Sequence, residues 1–264
     1  MKSYDKPNID EMERNENFEG LNKTLQSNDE TIRIKAVHSL YYLAQTRRGD
    51  HSSIPYLNNA LEDSSEEVRS HAAATLSLLA QISIGDSSSI PYLNRALGDS
   101  YWMVREYAAR TLGHLARCGI VDDSCIPHLN RALQESDKGS IVRKAVTFAL
   151  KELAQKGVGS KSSLPYLHNA LEDIRAPIRK EAALVLSALA LIGIEDNSSM
   201  PLLKKTLEDN DPHVRTAAKE ALNNIFMMQN STILRTLNLA VRNRKIDSSK
   251  RSESGKIDKS SDER

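Results

Sequence analysis

The sequence predicts an all-α fold, a right-handed α-solenoid (α-α superhelix) of about six helix pairs, and three observations carry that prediction. Proline recurs at Pro55, Pro91, Pro127, Pro165 and Pro201, at intervals of 36, 36, 38 and 36 residues. Arginine recurs on the same ruler at Arg33, Arg69, Arg105, Arg143, Arg179 and Arg215, and two independent markers with one period identify a repeat architecture. Composition agrees: 39% of the 264 residues are hydrophobic and only 5% aromatic, so the core is built from Leu, Ala, Ile and Val, which suits closely packed helices better than sheets.

Taken in order, residues 1–15 are polar and charged and are expected to be disordered. The solenoid is expected over residues 16–243. Its first copy, about Asn17 to Arg48, has Glu19 where the others have proline. Later copies open on serine, an apolar residue and proline, as in Ser53-Ile54-Pro55 and Ser163-Leu164-Pro165. Serine is expected to cap the free N–H groups of the first turn, where proline is tolerated because its missing donor would be unpaired. Leu57, Ala60 and Leu61, with Leu93, Ala96, Leu97 and Leu167, Ala170, Leu171, give that short first helix one apolar face. An acidic turn such as Glu62-Asp63-Ser64 ends it and offers caps to the next helix.

The second helix carries small or apolar residues 3, 4, 7, 10 and 11 places after the arginine, for example Ala72, Ala73, Leu76, Leu79 and Ala80. At about 100° per residue these form one stripe that a single pair cannot hide, so the copies must stack. In the fourth copy the turn Gln134 to Ser140 is two residues longer. The sixth, Ser198 to Ile225, places charged Lys219 and Glu220 in its second helix, as a terminal unit facing water would. Residues 226–243 read as a separate capping helix, and the charged segment 244–264 as a disordered tail with seven basic and five acidic groups.

With the L-E-D-x-x-x-x-V-R turn of Leu61 to Arg69 and Leu207 to Arg215, followed by A-A-x-x-L-x-x-L-A, the chain resembles HEAT repeats, specifically the short HEAT-like units of the phycobilisome-lyase class, over roughly residues 17–225. The resemblance implies a ladder in which turn aspartates pair with arginines from unit to unit. Here its members would be Asp63, Asp99, Asp173 and Asp209 with Arg69, Arg105, Arg143, Arg179, Arg215 and Arg33; Ser27 and Glu135 replace the aspartate in the first and fourth copies. It also implies that the second helices line a concave face.

Several chemistries are disfavoured. A di-iron site of the deoxyhypusine-hydroxylase kind would need His-Glu pairs, and none of the seven histidines is followed by glutamate, so no metal is expected. With 36 basic against 35 acidic groups, one tryptophan (Trp102, in a turn) and no uniformly basic helix row, nucleic-acid binding is disfavoured. A phycobilin-lyase role would need basic and aromatic groups for propionates and rings; this enzyme-associated reading is kept as the alternative. No Gly-x-Ser-x-Gly, phosphate-binding glycine loop or HExxH occurs, so a catalytic role and a cofactor are not expected. Cys118 and Cys125 lack zinc or disulfide spacing and read as reduced packing residues. Without an 18-residue apolar run or a signal-like N-terminus, the expected place is the cytoplasm, away from membranes.

What remains is a protein-binding scaffold. On each second helix the positions opposite the stripe lie 2, 5 and 9 after the arginine, and the first four units concentrate aromatic, imidazole and cationic groups there. The candidate partner-binding residues are Tyr42, His71, Tyr107, Arg110, His114 and Phe148, a set suited to an acidic or partly apolar peptide or helix. If equal positions stack, His71 faces Tyr107, Arg110 faces Phe148, and His114 faces Leu78. Asn58 is placed on the convex face, where Asn58→Ala should have little effect on binding.

Overall fold

Six helix pairs follow one another in a computed structural model that describes residues 7–135, 141–194 and 197–231. Among the described residues there are helices and turns but no strand. A short α1 (Ile9–Arg14) precedes α2 (Phe18–Thr24) with α3 (Glu30–Gln45), α4 (Ile54–Ala60) with α5 (Glu66–Gln81), and α6 (Ile90–Ala96) with α7 (Trp102–Arg117). Then come α8 (Ile126–Glu135) with α9 (Ile141–Gln155), α10 (Leu164–Leu171) with α11 (Ala176–Leu191), and α12 (Ser199–Thr206) with α13 (212–231). First helices pack in one row, from α4 to α12, and second helices α3, α5, α7, α9 and α11 pack in another. The predicted stripe is the core: Ala72, Ala73, Leu76, Leu79 and Ala80 are buried, as are Ala182, Ala183, Leu186, Leu189 and Ala190. Apolar burial of this kind stabilises each interface at roughly 25 cal/mol per Å².

The ladder holds the units in register. Arg69 donates from Nε and Nη2 to the two carboxylate oxygens of Asp99, at 2.7 and 3.1 Å, while its Nη1 holds the Asp63 carbonyl at 2.9 Å. Arg33 grips Asp63 at 2.7 and 2.9 Å, and Arg179 grips Asp209 at 2.6 and 2.7 Å. Arg143 pairs with Asp173 through Nη1, and its buried Nε has no hydrogen-bond partner. Each aspartate also accepts an N–H two residues on, from Ser65, Tyr101, Arg175 or Asp211, which starts the next helix. Arg105 and Arg215 hold only carbonyls of their own turns, at 2.6 and 2.7 Å, and pair with no carboxylate among the described residues. Residues 136–140 and the Glu135 side chain lie outside the described set.

Several expectations are corrected. Residues 9–14 are helical rather than disordered: Asn8 accepts from the Glu11 N–H, and Ile9 and Met12 are the apolar residues that cover the exposed end of the first unit. Residues 226–231 continue α13 without a break, because nothing between 212 and 231 interrupts the helix, and residues 232–264, including the expected tail, lie outside the described residues. Ser53, Ser89 and Ser163, each before an apolar-proline pair, make no cap hydrogen bond; they are buried at the ends of 3₁₀ turns. The cap is the residue three earlier: Asp50, Asp86, Asp122 and Ser160 each accept from the N–H two residues on.

Asn58 is buried too, reaching Ser88 of the next unit, and the same link recurs as Asn22–Ser52, Asn94–Ser124 and Asn130–Ser162. It is a joint between units rather than a free surface position. Cys125 takes the buried serine position, and burial pushes its thiol up to about 12, whereas Cys118 is exposed and is not a packing residue. The first five second helices are each followed by a left-handed residue: Arg47, Ser83, Gly119, Gly157 and Gly193 all have positive φ. At Ser83 two reverse hydrogen bonds close the turn, Ser83 N–H to the Ala80 carbonyl and Ile84 N–H to the Leu79 carbonyl.

A candidate binding groove on the second-helix row

The groove begins with a close approach. A Cβ on Gly113 of α7 would lie 2.4 Å from the Phe148 ring and 3.2 Å from the Ala149 Cα, so glycine there lets α9 settle against α7 and lays Phe148 across the joint. Above that joint lies a depression of about 380 Å³ shared by α7, α9 and α11. Its apolar floor is Phe148, Ile141 and Ala145; its cations are Arg110, Arg117, Lys144 and Lys151, facing the carboxylates of Glu106 and Glu181. Arg117 lies over the Phe148 ring at 5.1 Å and pairs with the buried Glu152 at 3.0 Å. Lys151 reaches Glu181 at 3.1 Å, and Arg110 reaches Glu106 at 3.4 Å. Lys144 is exposed and pairs with no carboxylate among the described residues, which leaves a net positive charge at the groove.

Of the six residues singled out from sequence, three meet here: Arg110, His114 and Phe148. His114 packs against Phe148 with ring centroids 5.4 Å apart and is only 8% exposed, so it is a wall of the groove. Burial pushes its pKa down, Arg117 and Arg110 push it the same way, and Glu152 opposes them. Burial and the two arginines both favour the neutral imidazole. Tyr107 lies half-buried beside Arg110, whose guanidinium is 5.7 Å from its ring, and burial raises the phenol pKa. Tyr42 is exposed on α3 with Arg48 5.9 Å from its ring, away from the groove. His71 belongs to a second cluster, with His38 at 4.0 Å between ring centroids and Tyr41 at 5.6 Å. Trp102 stands at the start of α7, exposed, rather than in a turn.

Contacts across the row are diagonal. His114, nine after its arginine, meets Phe148, five after its own; Arg117 meets Glu152; Lys151 meets Glu181. Ridges of one helix fit grooves of the next, so neighbours are offset by about one turn rather than matched position for position. The groove residues missed from sequence, Glu106, Arg117, Ile141, Lys144 and Lys151, follow from this, whereas Glu181, two after Arg179, stands at a chosen position of the fifth unit. Most lie at −2, +1 or +12 from the arginine, within about 50° of the chosen positions on a helical wheel. A wider arc and an offset of one turn would have found them.

A row of second helices stacked beside a row of first helices defines the molecule as an α-solenoid. The family model for HEAT repeats matches residues 18–113, 59–151 and 142–223, and the chain belongs to that family. A search of curated proteins finds none that matches. Among solved structures, the chain is similar to an engineered protein, with 25% identity and a TM-score of 0.62 over 80% of this chain and 97% of that one. A designed armadillo repeat protein in complex with the peptide (KR)4 is 20% identical, with a TM-score of 0.59 over 78% and 98% of the two chains. The complex of CpcE and CpcF of phycocyanin lyase from Nostoc sp. PCC7120 is 24% identical, with a TM-score of 0.51 over 76% and 74%. These last two likenesses concern the fold. No helix among the described residues is long and apolar enough to cross a membrane.

Proposed function

We propose that this protein is a non-catalytic scaffold that works in the cytoplasm and grips an acidic, partly apolar peptide or helix of another protein in the α7–α9–α11 groove. The observation that carries the reading is the Phe148 and Ile141 floor ringed by Arg110, Arg117, Lys144 and Lys151. Such a site offers apolar area to one face of an amphipathic helix and cations to its acidic flank. Among proteins of similar fold, a designed armadillo repeat protein is in complex with the peptide (KR)4, and CpcE is in complex with CpcF. This groove has the opposite charge preference from one that takes a Lys-Arg peptide. A tetrapyrrole-handling role has weaker support, since among the described residues Phe148 is the one aromatic ring lining the groove besides the His114 imidazole.

The test is fluorescence anisotropy with two labelled amphipathic peptides of equal length, one Glu/Leu and one Lys/Leu. The parent should prefer the acidic peptide, and that preference should shrink as salt rises. Arg110→Glu with Lys144→Glu should weaken it by about 30-fold, or about 2 kcal/mol, with an unchanged helical spectrum. Equal binding of both peptides, or a double variant that binds as the parent does, would remove the groove from consideration.

A further inference from the structure

Outside the groove, a second arrangement joins the first two units. His38 on α3 and Glu67 and His71 on α5 present three donor atoms that all lie within 4.8 Å of one another. Glu67 and His71 are four residues apart on one helix and so share a face, and the stacking of α3 on α5 supplies the third donor. No His-Glu dipeptide is needed, which is why a search for adjacent ligands in the sequence passes over the set.

The details suit coordination. His38 Nε2 lies 3.1 Å from Glu67 Oε1, close to the separation of about 3.3 Å between neighbouring ligands on a tetrahedral zinc with bonds near 2.0 Å. His71 Nδ1 lies 2.9 Å from the Glu67 backbone carbonyl, and with Nδ1–H donating there, Nε2 keeps its lone pair for a metal. Tyr41 packs edge-on against the His71 ring and steadies its orientation. His38 and Glu67 are exposed, so both have room to close the remaining distance and water can reach a fourth position.

We propose that His38, Glu67 and His71 form a binding site for a borderline divalent metal, Zn²⁺, that clamps the first repeat to the second. Two imidazoles and one carboxylate match the donors zinc prefers over hard cations, which take oxygen ligands almost alone. Because one ligand comes from α3 and two from α5, occupancy stiffens this joint without touching the peptide groove.

The test uses the full chain, stripped with EDTA and dialysed, titrated with ZnCl₂ by calorimetry and followed by thermal melting. The parent should bind one Zn²⁺ and melt at higher temperature with it. His38→Ala and His71→Ala should each weaken that binding at least 10-fold and abolish the thermal shift, while both keep the parent's helical spectrum. Cys118→Ser, at the exposed thiol, should change neither. If the parent takes up no Zn²⁺ at tenfold molar excess, or if either histidine variant binds as tightly as the parent, the site is an ordinary His–Glu contact and the proposal is wrong.

Discussion

Replacing Asp99 by asparagine removes one negative charge from the joint between the second and third units and changes little else. Asp99 receives two hydrogen bonds from Arg69 and one, at 2.7 Å, from the Tyr101 N–H, and the amide oxygen of asparagine can keep that last bond. The two side chains are 14% and 12% exposed, so water screens the pair weakly. Opposite charges about 4 Å apart attract by about 4 kcal/mol at an effective dielectric near 20. In the variant this attraction is lost, yet the Arg69 guanidinium stays desolvated, because it cannot give up its proton. The loss should be about 2–4 kcal/mol. A comparison fixes the cause: Glu62 and Arg95 are as close, at 2.6 Å, but 53% and 55% exposed. Glu62→Gln should therefore cost less than about 0.5 kcal/mol. Urea unfolding followed by circular dichroism reads both. Since repeats couple only to neighbours, Asp99→Asn should also broaden the transition as the units either side of the joint unfold separately. If the two variants lose the same stability within about 0.5 kcal/mol, burial is not what gives the ladder its strength, and the reasoning fails.

Leu112, 3% exposed at the centre of the α7 stripe, should lose about 2–5 kcal/mol on truncation to alanine, read by the same unfolding experiment; a change within error would mean the site refills. Ser83→Gly should stabilise by about 0.5–1 kcal/mol, because serine at φ 65° carries a left-handed strain that glycine lacks; a lower thermal midpoint would contradict the turn geometry. Stability should also fall in acid. Burial pushes the Asp63 carboxyl up, but hydrogen bonds from Arg33 and the Ser65 N–H outweigh it and hold the group below the usual range; the Arg179 hydrogen bond does the same for Asp209. Groups lowered in this way stabilise the fold fully above an unfolded value of about 3.9 and lose that contribution as pH drops through their folded values. Thermal midpoints measured from pH 5 down to pH 2 should decline, and Asp63→Asn should flatten the decline.

The repeat, the buried stripe and the ladder were legible in the sequence because each is a pattern of identities at a fixed period. Arg69 and Asp99 lie 30 residues apart in the chain but are marked in nearly every copy. The caps at Asp50, Asp86 and Asp122 were readable in the same way and were passed over because Ser53 and its copies stood closer to the proline. The N-terminal helix was missed because Ile9 and Met12 alone in a polar stretch show no period; only the open end of the first unit gives them something to cover. The groove was half legible. Single-helix periodicity points Arg110, His114 and Phe148 to one face, but the offset between neighbouring helices is a packing property that no one helix encodes. The same offset unites His38 with Glu67 and His71, which sequence spacing holds apart.

The ladder gives its units a giving side and a receiving side, since Arg33, Arg69, Arg143 and Arg179 each reach forward to the aspartate of the next repeat. Such one-way joints are the kind that link whole molecules end on end into open filaments when both ends stay unmatched and complementary. In the sixth unit Arg215 keeps its fork, with no carboxylate partner among the described residues. At the N-terminal end the matching acceptor is missing, because Ser27 stands where the aspartate would be and α1 lies across the first unit. A guanidinium brought to that turn would find a hydroxyl instead of a carboxylate. A Ser27→Asp variant would place on the first unit's turn the carboxylate that Asp63, Asp99, Asp173 and Asp209 supply in later units.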